Sequence, residues 1–582
     1  MQAFLFKGDP DMNNISDNSI SILFPDGKNK SYRKLPETVI HDLGLDTICT
    51  AVTDDKKEQR IIMNVLSNVT SDPNTARFRQ KVFADILALP DLRARMTELF
   101  ERLEYIRTFG TMSKATDEKL GLWYLLHRLD EINNYICCVE IMRECLSDSA
   151  ITSEGLIRFR DYISSLYDDA CFEEMKKDIA ELKEQSADIQ SVTIGVNVNE
   201  RFEAVSMGLV SVNNKPFKKS GIVSNFADAI SSKNKIQEGT EWDGNMHYEQ
   251  VERTTDGSVG AFIRKATGFM AMSTNPFLDA FTRSTIVNMP DADDAGNFTF
   301  HLDKVMNKIL DNLIKKLRDV LSKYVDIAIA DISGLIPEFI YYMRFAEFIS
   351  GCREKGFRFC EAEISENGGL MTAKGLYNLK LAVNMDDNKD IVANDLSFDR
   401  ENTIYILTGA NRGGKTTITQ AVGQLFALAQ GGIFVPAEKF TFMPADCIFT
   451  HFPADEDKTM DLGRLGEECV RFRQIYSECT ENSLILLNET FSTTSFEEGY
   501  YIAHDSVKAM AAKKVRAIYN THMHKLAENT AEYGTGVASL IVKNENGERS
   551  FKVIAAPPEG SSYARDIAEK YGVTYEMLTG EG

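Results

Sequence analysis

Gly409-Ala410-Asn411-Arg412-Gly413-Gly414-Lys415-Thr416 fits the spacing G-x-x-x-x-G-K-[ST], and Thr417 follows it. Glycine-rich backbone N–H groups at the start of a helix suit an anion, because a helix N-terminus carries unsatisfied donors and partial positive charge. In this pattern the loop cradles phosphates, Lys415 reaches the β- and γ-phosphates, and the Thr416 hydroxyl ligates Mg2+. Residues 409–417 are therefore the candidate ATP-binding set. Hydrolysis also needs a second strand that delivers a carboxylate to the metal and a base to the water, and Ser483-Leu-Ile-Leu-Leu-Asn488-Glu489 fills that place. Asn488 stands at the first acidic position. Its Oδ1 can accept from a metal-bound water but brings no charge against Mg2+, which predicts weakened metal affinity or hydrolysis. Glu489 is the residue expected to polarise the attacking water. His522 follows Ala517-Ile518-Tyr519, where its imidazole would sense the γ-phosphate or orient water. His522 and His524 also have the spacing of a metal pair, but no cysteine or carboxylate set accompanies them.

These residues require strands ending at one edge and a helix behind the loop. TIYILT (403–408) reads as the strand and TITQAVGQLFALAQ (417–430) as the helix. Upstream, residues 55–185 carry a helical pattern, clearest where Leu122, Leu125, Leu126, Leu129, Ile132, Ile136, Val139 and Met142 recur at steps of three and four. Residues 190–213 change to β-branched, Gly-punctuated runs that predict two or three strands. The stretch from 214 to about 300 is polar and reads as an inserted module or a partly mobile excursion. A helix is predicted again over 302–330, with Val305, Ile309, Leu313, Leu317, Val320, Leu321 and Tyr324 as its stripe. Lys304, Lys308, Lys315, Lys316, Arg318 and Lys323 surround that stripe, as a solvated face or as contacts to phosphate. Residues 1–40, with FLF and ISILFPDG, read as a short β-rich lead-in.

Composition narrows the function. The 582 residues hold 65 Lys+Arg against 86 Asp+Glu, a net charge of −21, so any contact with a polyanion must be local. No apolar run reaches membrane-spanning length and the start lacks a secretory pattern, which predicts a cytoplasmic protein without membrane contact. The ten cysteines include no Cys-x-x-Cys pair and read as reduced core thiols.

Taken in order, the motifs resemble the ABC-type ATPase domain of MutS mismatch-repair proteins over about residues 360–575. IVANDLSF, LTGANRGGKTT, GIFVPAEKFTFMPADCIFTHF, SLILLNETFSTTS with Gly499, NTHMHKLAE and SSYARDIAEKYGV keep that family's order and spacing. The resemblance implies phosphate binding by the GGKT loop, catalysis by Lys415 and Glu489, and a switch role for His522. It implies Mg2+ at Thr416 and Asn488, and a meeting with a partner subunit at Thr494 and Ser495. Residues 461–468, DLGRLGEE, occupy the place of the family's signature segment. Further upstream, 64–87 resembles the start of the family's core helices and 302–350 their return.

Three departures stand out. Asn488 replaces the usual Asp. Leu465-Gly466 stands where Ser-Thr is expected after Gly463-Arg464, which weakens the expected contact across a dimer to the γ-phosphate. Because the core helices begin some 60 residues from Met1, the mismatch-reading region is expected to be missing. Phe345-Ala-Glu347 and Phe359-Cys-Glu361 match the wedge letters Phe-x-Glu in the wrong context, and no nuclease tail is expected after the ATPase.

The fold expected is α/β plus α-helical: a C-terminal ABC-type P-loop domain preceded by a helical lever with a small clamp-like insertion. The expected divisions are 1–40 lead-in, 41–189 helical core, 190–300 clamp-like insertion, 301–360 core return, 361–560 ATPase and 561–582 helical tail. The expected function is that of a homodimer that binds and hydrolyses ATP with Mg2+ and holds DNA by its backbone, using Lys215, Lys218, Lys219 and the basic residues of the lever, without reading mismatches. The alternative is a nucleotide-gated switch for a protein partner, with little or no DNA binding.

Overall fold

The computed structural model describes residues 20–25, 32–97, 99, 122–147, 150–187, 191–198, 200–201, 204–213, 286–288, 311–322, 329–365, 370–410, 412–453, 463–545, 548–558, 569 and 571–579. Contacts group the chain into two units: residues 98–144 with 163–330, and residues 1–97, 145–162 and 331–582.

In the first unit the long helix Leu122–Leu146 follows the predicted period, with Leu125, Leu129, Ile132, Ile136, Val139 and Met142 all buried. Helices Ala170–Ala187 and Asp311–Ser322 belong here too, the latter burying Leu317 and Leu321. The change of period at 190 is a change of structure. Strands β3 (Ser191–Val198) and β4 (Ala204–Asn213) pair antiparallel, and β5 (Ile286–Asn288) adds to β4 with Met207 opposite Val287. Residues 214–285, with Lys215, Lys218 and Lys219, lie outside the described residues, as do Lys304, Lys308 and Lys323.

The second unit is built on a six-stranded sheet in the order β11-β12-β13-β9-β14-β15. Its strands are β9 (Asn402–Thr408), β11 (Ile448–His451), β12 (Leu484–Asn488), β13 (Arg516–Asn520), β14 (Gly536–Glu545) and β15 (Glu548–Ala555). All neighbours are parallel except the β14–β15 hairpin. The central strands are apolar almost throughout because helices cover both faces. Helix Phe496–Lys513 closes one face through Ala503, Val507 and Met510 against Ile404, Ile485 and Ala517. Helix Lys415–Gln430 lies against the other, where Gly423 comes close to Leu486. A four-stranded mixed sheet is ordered β6 (Ala362–Ile364), β10 (Lys439–Phe442), β7 (Met371–Leu376), β8 (Asn394–Phe398). The fold is thus mixed α/β.

The lead-in departs from expectation. Among its described residues the one strand is the two-residue β1 (Arg33–Lys34), and a helix, Glu37–Leu43, begins before residue 40. Ile22, Leu23 and Phe24 are buried but form no strand, because their backbone is tied to side chains instead: Ile22 N donates to Glu338 Oε2 at 2.7 Å, and the Arg79 guanidinium donates to Leu23 O at 3.0 Å. Both discounted wedge matches are structural. Phe345 lies fully buried inside helix Ile329–Glu354, and Phe359 packs edge-on against Tyr377.

Candidate functional site

Strand order brings the chemistry together. β13 lies between β12 and the loop-bearing β9, so three parallel strands end at one edge. In register, Asn488 faces Asn520 and Asn520 faces Leu407, two residues before Gly409. Ligand sites of open parallel sheets form at such carboxyl ends. Glu489 follows Asn488 in the left-handed region at φ 52, its N–H donating to Asn520 O at 2.9 Å, and this bend turns its carboxylate out of the sheet. His522, two residues beyond Asn520, has its Nε2 2.9 Å from Glu489 Oε1. The predicted base and the predicted histidine therefore lie in direct contact.

On β9's side, Gly414 adopts φ 93 and opens helix Lys415–Gln430, a left-handed step that glycine makes at little cost. Lys415 is buried at 5% exposure, and its Nζ donates back to Gly409 O at 3.0 Å and Ala410 O at 3.3 Å. Burial lowers its pKa from the usual lysine value, and the Glu489 carboxylate opposes that shift. The Thr416 hydroxyl donates to Asn488 Oδ1 at 2.9 Å. Asn520 Nδ2 donates to the same Asn488 oxygen and approaches Thr416 Oγ1 at 3.4 Å.

A cavity of about 500 Å³ lies over these groups. Arg412, Gly413, Gly414, Lys415, Thr416 and Thr417 line it, together with Glu489 and His522. Tyr377, Leu381, Val392 and Phe551 from β15 also line it, beside Asn378, Asp390 and Asn394. Gly409 and Ala410 hold the Lys415 amine; Asn411 lies outside the described residues. Thr416 and Asn488 offer neutral oxygens of the kind Mg2+ accepts, so their types fit that ion while supplying no charge. Among the described residues no cluster of three His, Cys, Asp or Glu side chains forms a further metal site, and His524 makes none with His522. Sequence reasoning missed Asn520 and Phe551. A polar residue ending an apolar strand, the signal that marked Asn488, could have marked Asn520; nothing local marks Phe551, which reaches the loop through the hairpin.

The remaining sequence candidates lie on neighbouring loops. Ser495 caps helix Phe496–Lys513, its Oγ accepting from Glu498 N at 3.4 Å, and Thr494 donates to the Glu498 carboxylate. Gly463 opens helix Arg464–Glu478, which carries Leu465 and Gly466 partly buried in its first turn; Asp461 and Leu462 lie outside the described residues.

Comparison with known proteins agrees with this geometry. Residues 405–578 match the family described as MutS domain V, and residues 71–351 match the MutS2 N-terminal domain. The chain belongs to the MutS family. It is 25% identical to the DNA mismatch repair protein MutS of Halothermothrix orenii over 481 residues, covering 77% of this chain and 51% of that relative. It is 29% identical to the MutS of Chlorobium phaeobacteroides over 242 residues, 40% of this chain and 27% of the relative. Its likeness to the Endonuclease MutS2 of Thermus thermophilus is 29% over 190 residues, 32% of this chain and 25% of that protein. The chain thus spans about half or less of the length of these relatives. As a MutS family member it carries the ABC-type ATPase domain at 405–578, and among the described residues no helix is long and apolar enough to cross a membrane.

Proposed function

We propose that the chain binds ATP in the cavity over the three strand ends, hydrolyses it, and uses the nucleotide state to govern its hold on DNA as a cytoplasmic homodimer. The observation that carries the reading is the Glu489–His522 pair at 2.9 Å, set on the same cavity as Lys415 and the loop N–H groups. Residues 409–417 cradle the phosphates, and the aromatic lining residues Tyr377 and Phe551 receive the base. Thr416 would hold Mg2+, which when bound offsets phosphate charge, while the Asn488 oxygen, already accepting from two side-chain donors, is the weaker half of the pair. Lys415 exchanges its two carbonyl acceptors for phosphate oxygens, which are stronger partners for an ammonium. His522 Nε2, 2.9 Å from Glu489 Oε1, keeps the carboxylate in place while its second oxygen orients the attacking water and takes its proton.

Residues 41–189 and 301–360 act in this reading as a helical lever and 190–300 as a clamp-like insertion, contacting DNA through its backbone without reading mismatches. The two relatives named MutS carry DNA mismatch repair in their names, and the MutS2 relative is named an endonuclease. One observation favours the second reading, a nucleotide-gated switch for a protein partner. Three described cations of the first unit are paired with acids: Lys316 with Glu181 at 3.0 Å, Lys183 with Asp130 at 3.7 Å and Lys176 with Glu140 at 2.9 Å. Steady-state ATP turnover with and without duplex and branched DNA, at two salt concentrations, separates the readings. Stimulation by DNA that fades with salt is expected. Turnover abolished by Glu489→Gln yet indifferent to every DNA would transfer the proposal to the protein partner, and turnover that survives Glu489→Gln would remove the assigned base.

A further inference from the structure

The second strand's amide is already engaged. Asn488 Oδ1 accepts from the Thr416 hydroxyl at 2.9 Å and from Asn520 Nδ2, so both lone-pair directions of that oxygen are taken by side-chain donors. Asn520 is fully buried and among the described residues its own Oδ1 has no hydrogen-bond partner, so its NH2 end is committed to this cluster at the cost of an orphaned acceptor. An N–H directed at the oxygens a cation would use places the positive end of a dipole where positive charge would sit. A carboxylate at 488 has a second oxygen left over for the metal after accepting these two donors. An asparagine has none.

We propose that Asn520 is a positioning residue: it occupies the Asn488 oxygen and so makes nucleotide binding depend only weakly on the divalent cation. This rests on the ATP–Mg2+ reading of the site, which is tested separately by loss of binding in Lys415→Ala. With phosphates held by loop N–H groups and Lys415, the nucleotide loads with little help from the ion, and Asn520 rather than Asn488 alone sets that independence.

The test is the ratio of the dissociation constant of the fluorescent nucleotide mant-ATP in EDTA to that in Mg2+, measured on the whole chain. The unmodified protein should give a ratio below about threefold. Asn520→Leu, which keeps the branching at Cγ and removes the donor, should raise the ratio at least threefold, and Asn488→Asp at least tenfold. Asn488→Asp combined with Asn520→Leu should exceed Asn488→Asp by less than threefold, because the carboxylate already has a free oxygen. A ratio of ten or more in the unmodified protein overturns the proposal without any variant. So does an unchanged ratio in an Asn520→Leu protein that melts as the parent does. Should Asn520→Leu fail to fold, Asn488→Asp decides, and a ratio unmoved by it counts against the proposal. Failure of mant-ATP to bind the parent at all would instead remove the underlying reading of the site.

Discussion

Two helices of the ATPase region begin alike and are held differently. Helix Lys415–Gln430 starts at Gly414 with φ 93 and helix Arg464–Glu478 at Gly463 with φ 69. Thirteen of the sixteen residues of the first are buried, against Phe472 and Ile475 alone in the second. The first is also tied by buried amides. Gln424 donates to Leu43 O at 2.8 Å and accepts from Leu379 N at 2.8 Å, while Gln430 donates to Thr70 O and Ala445 O, each at 2.7 Å. The second is fastened by partly buried or exposed contacts: Arg471 to Asp42 and Thr450 O at 3.1 Å and to Phe452 O at 3.2 Å, the Glu468 carbonyl to His451 Nε2 at 3.3 Å, Tyr476 to Ala509 O at 3.3 Å and Glu478 to Arg33 at 2.6 Å. A buried helix with satisfied amides gives a rigid seat for phosphate, whereas a helix held by partly exposed polar contacts can be re-aimed at modest cost. Asp42 touches both, since its carbonyl accepts from Gln420 at 2.7 Å. Helix Lys415–Gln430 is therefore the firmly seated one of the pair, and helix Arg464–Glu478 the one with less of itself buried.

The difference can be broken from the rigid side first. Lys415→Ala should weaken nucleotide binding roughly a thousandfold, about 4 kcal/mol, by removing a desolvated cation from the phosphate seat; mant-ATP titration reads it, and a loss below tenfold would deny the seat its importance. On the other side, His451 is the pH-sensitive fastening. Burial, with the Arg471 guanidinium adding to it, pushes its pKa down to about 4, and its Nδ1 lies 3.2 Å from Thr490 Oγ1. The unfolded chain, with an ordinary value of about 6.5, takes up this proton first as the pH falls. This contribution to stability is therefore complete above about pH 6.5 and is lost towards pH 4, by about 3 kcal/mol at most. Denaturant titrations between pH 7 and 4 should show that slope, flattened in His451→Gln; equal slopes in the two proteins would contradict it.

Gln424→Ala should cost about 2 to 3 kcal/mol, since it strands the buried Leu43 carbonyl and Leu379 N–H. A melting temperature within a degree of the parent would show that the amide ties are not what stiffens the phosphate helix. Gly463→Ala should cost only about 1 kcal/mol: no atom of the described residues beyond its chain neighbours lies within 4 Å of the added carbon, and the penalty is that of the positive φ. A larger loss would mean that the signature helix is held as firmly as its counterpart.

Much of the site was legible in local letters. The glycine loop, Lys415, Thr416, Asn488, Glu489 and His522 each end or follow an apolar run, and all six positions come to one edge of the sheet. Stripes such as Leu125, Leu129, Ile132 and Val139 marked their helix because one face must leave water. The lead-in misled because apolar Ile22, Leu23 and Phe24 looked like a strand, whereas buried Arg79 and Glu338 supply the backbone partners a neighbouring strand would have given. Neither residue is near them in sequence.

The amino-acid order by itself determined which short segments are strands, which loop can bind phosphate, and where an expected charge is replaced by an amide. Those choices rest on periodicity, glycine geometry and side-chain chemistry, all local along the chain. Only the tertiary structure decided that Asn520 faces Asn488, that Glu489 meets His522, and that Phe551 overhangs the loop. Strand order and register set these meetings. They join residues from about thirty to well over a hundred positions apart, at distances fixed by how the parallel strands pair and which helices cover them.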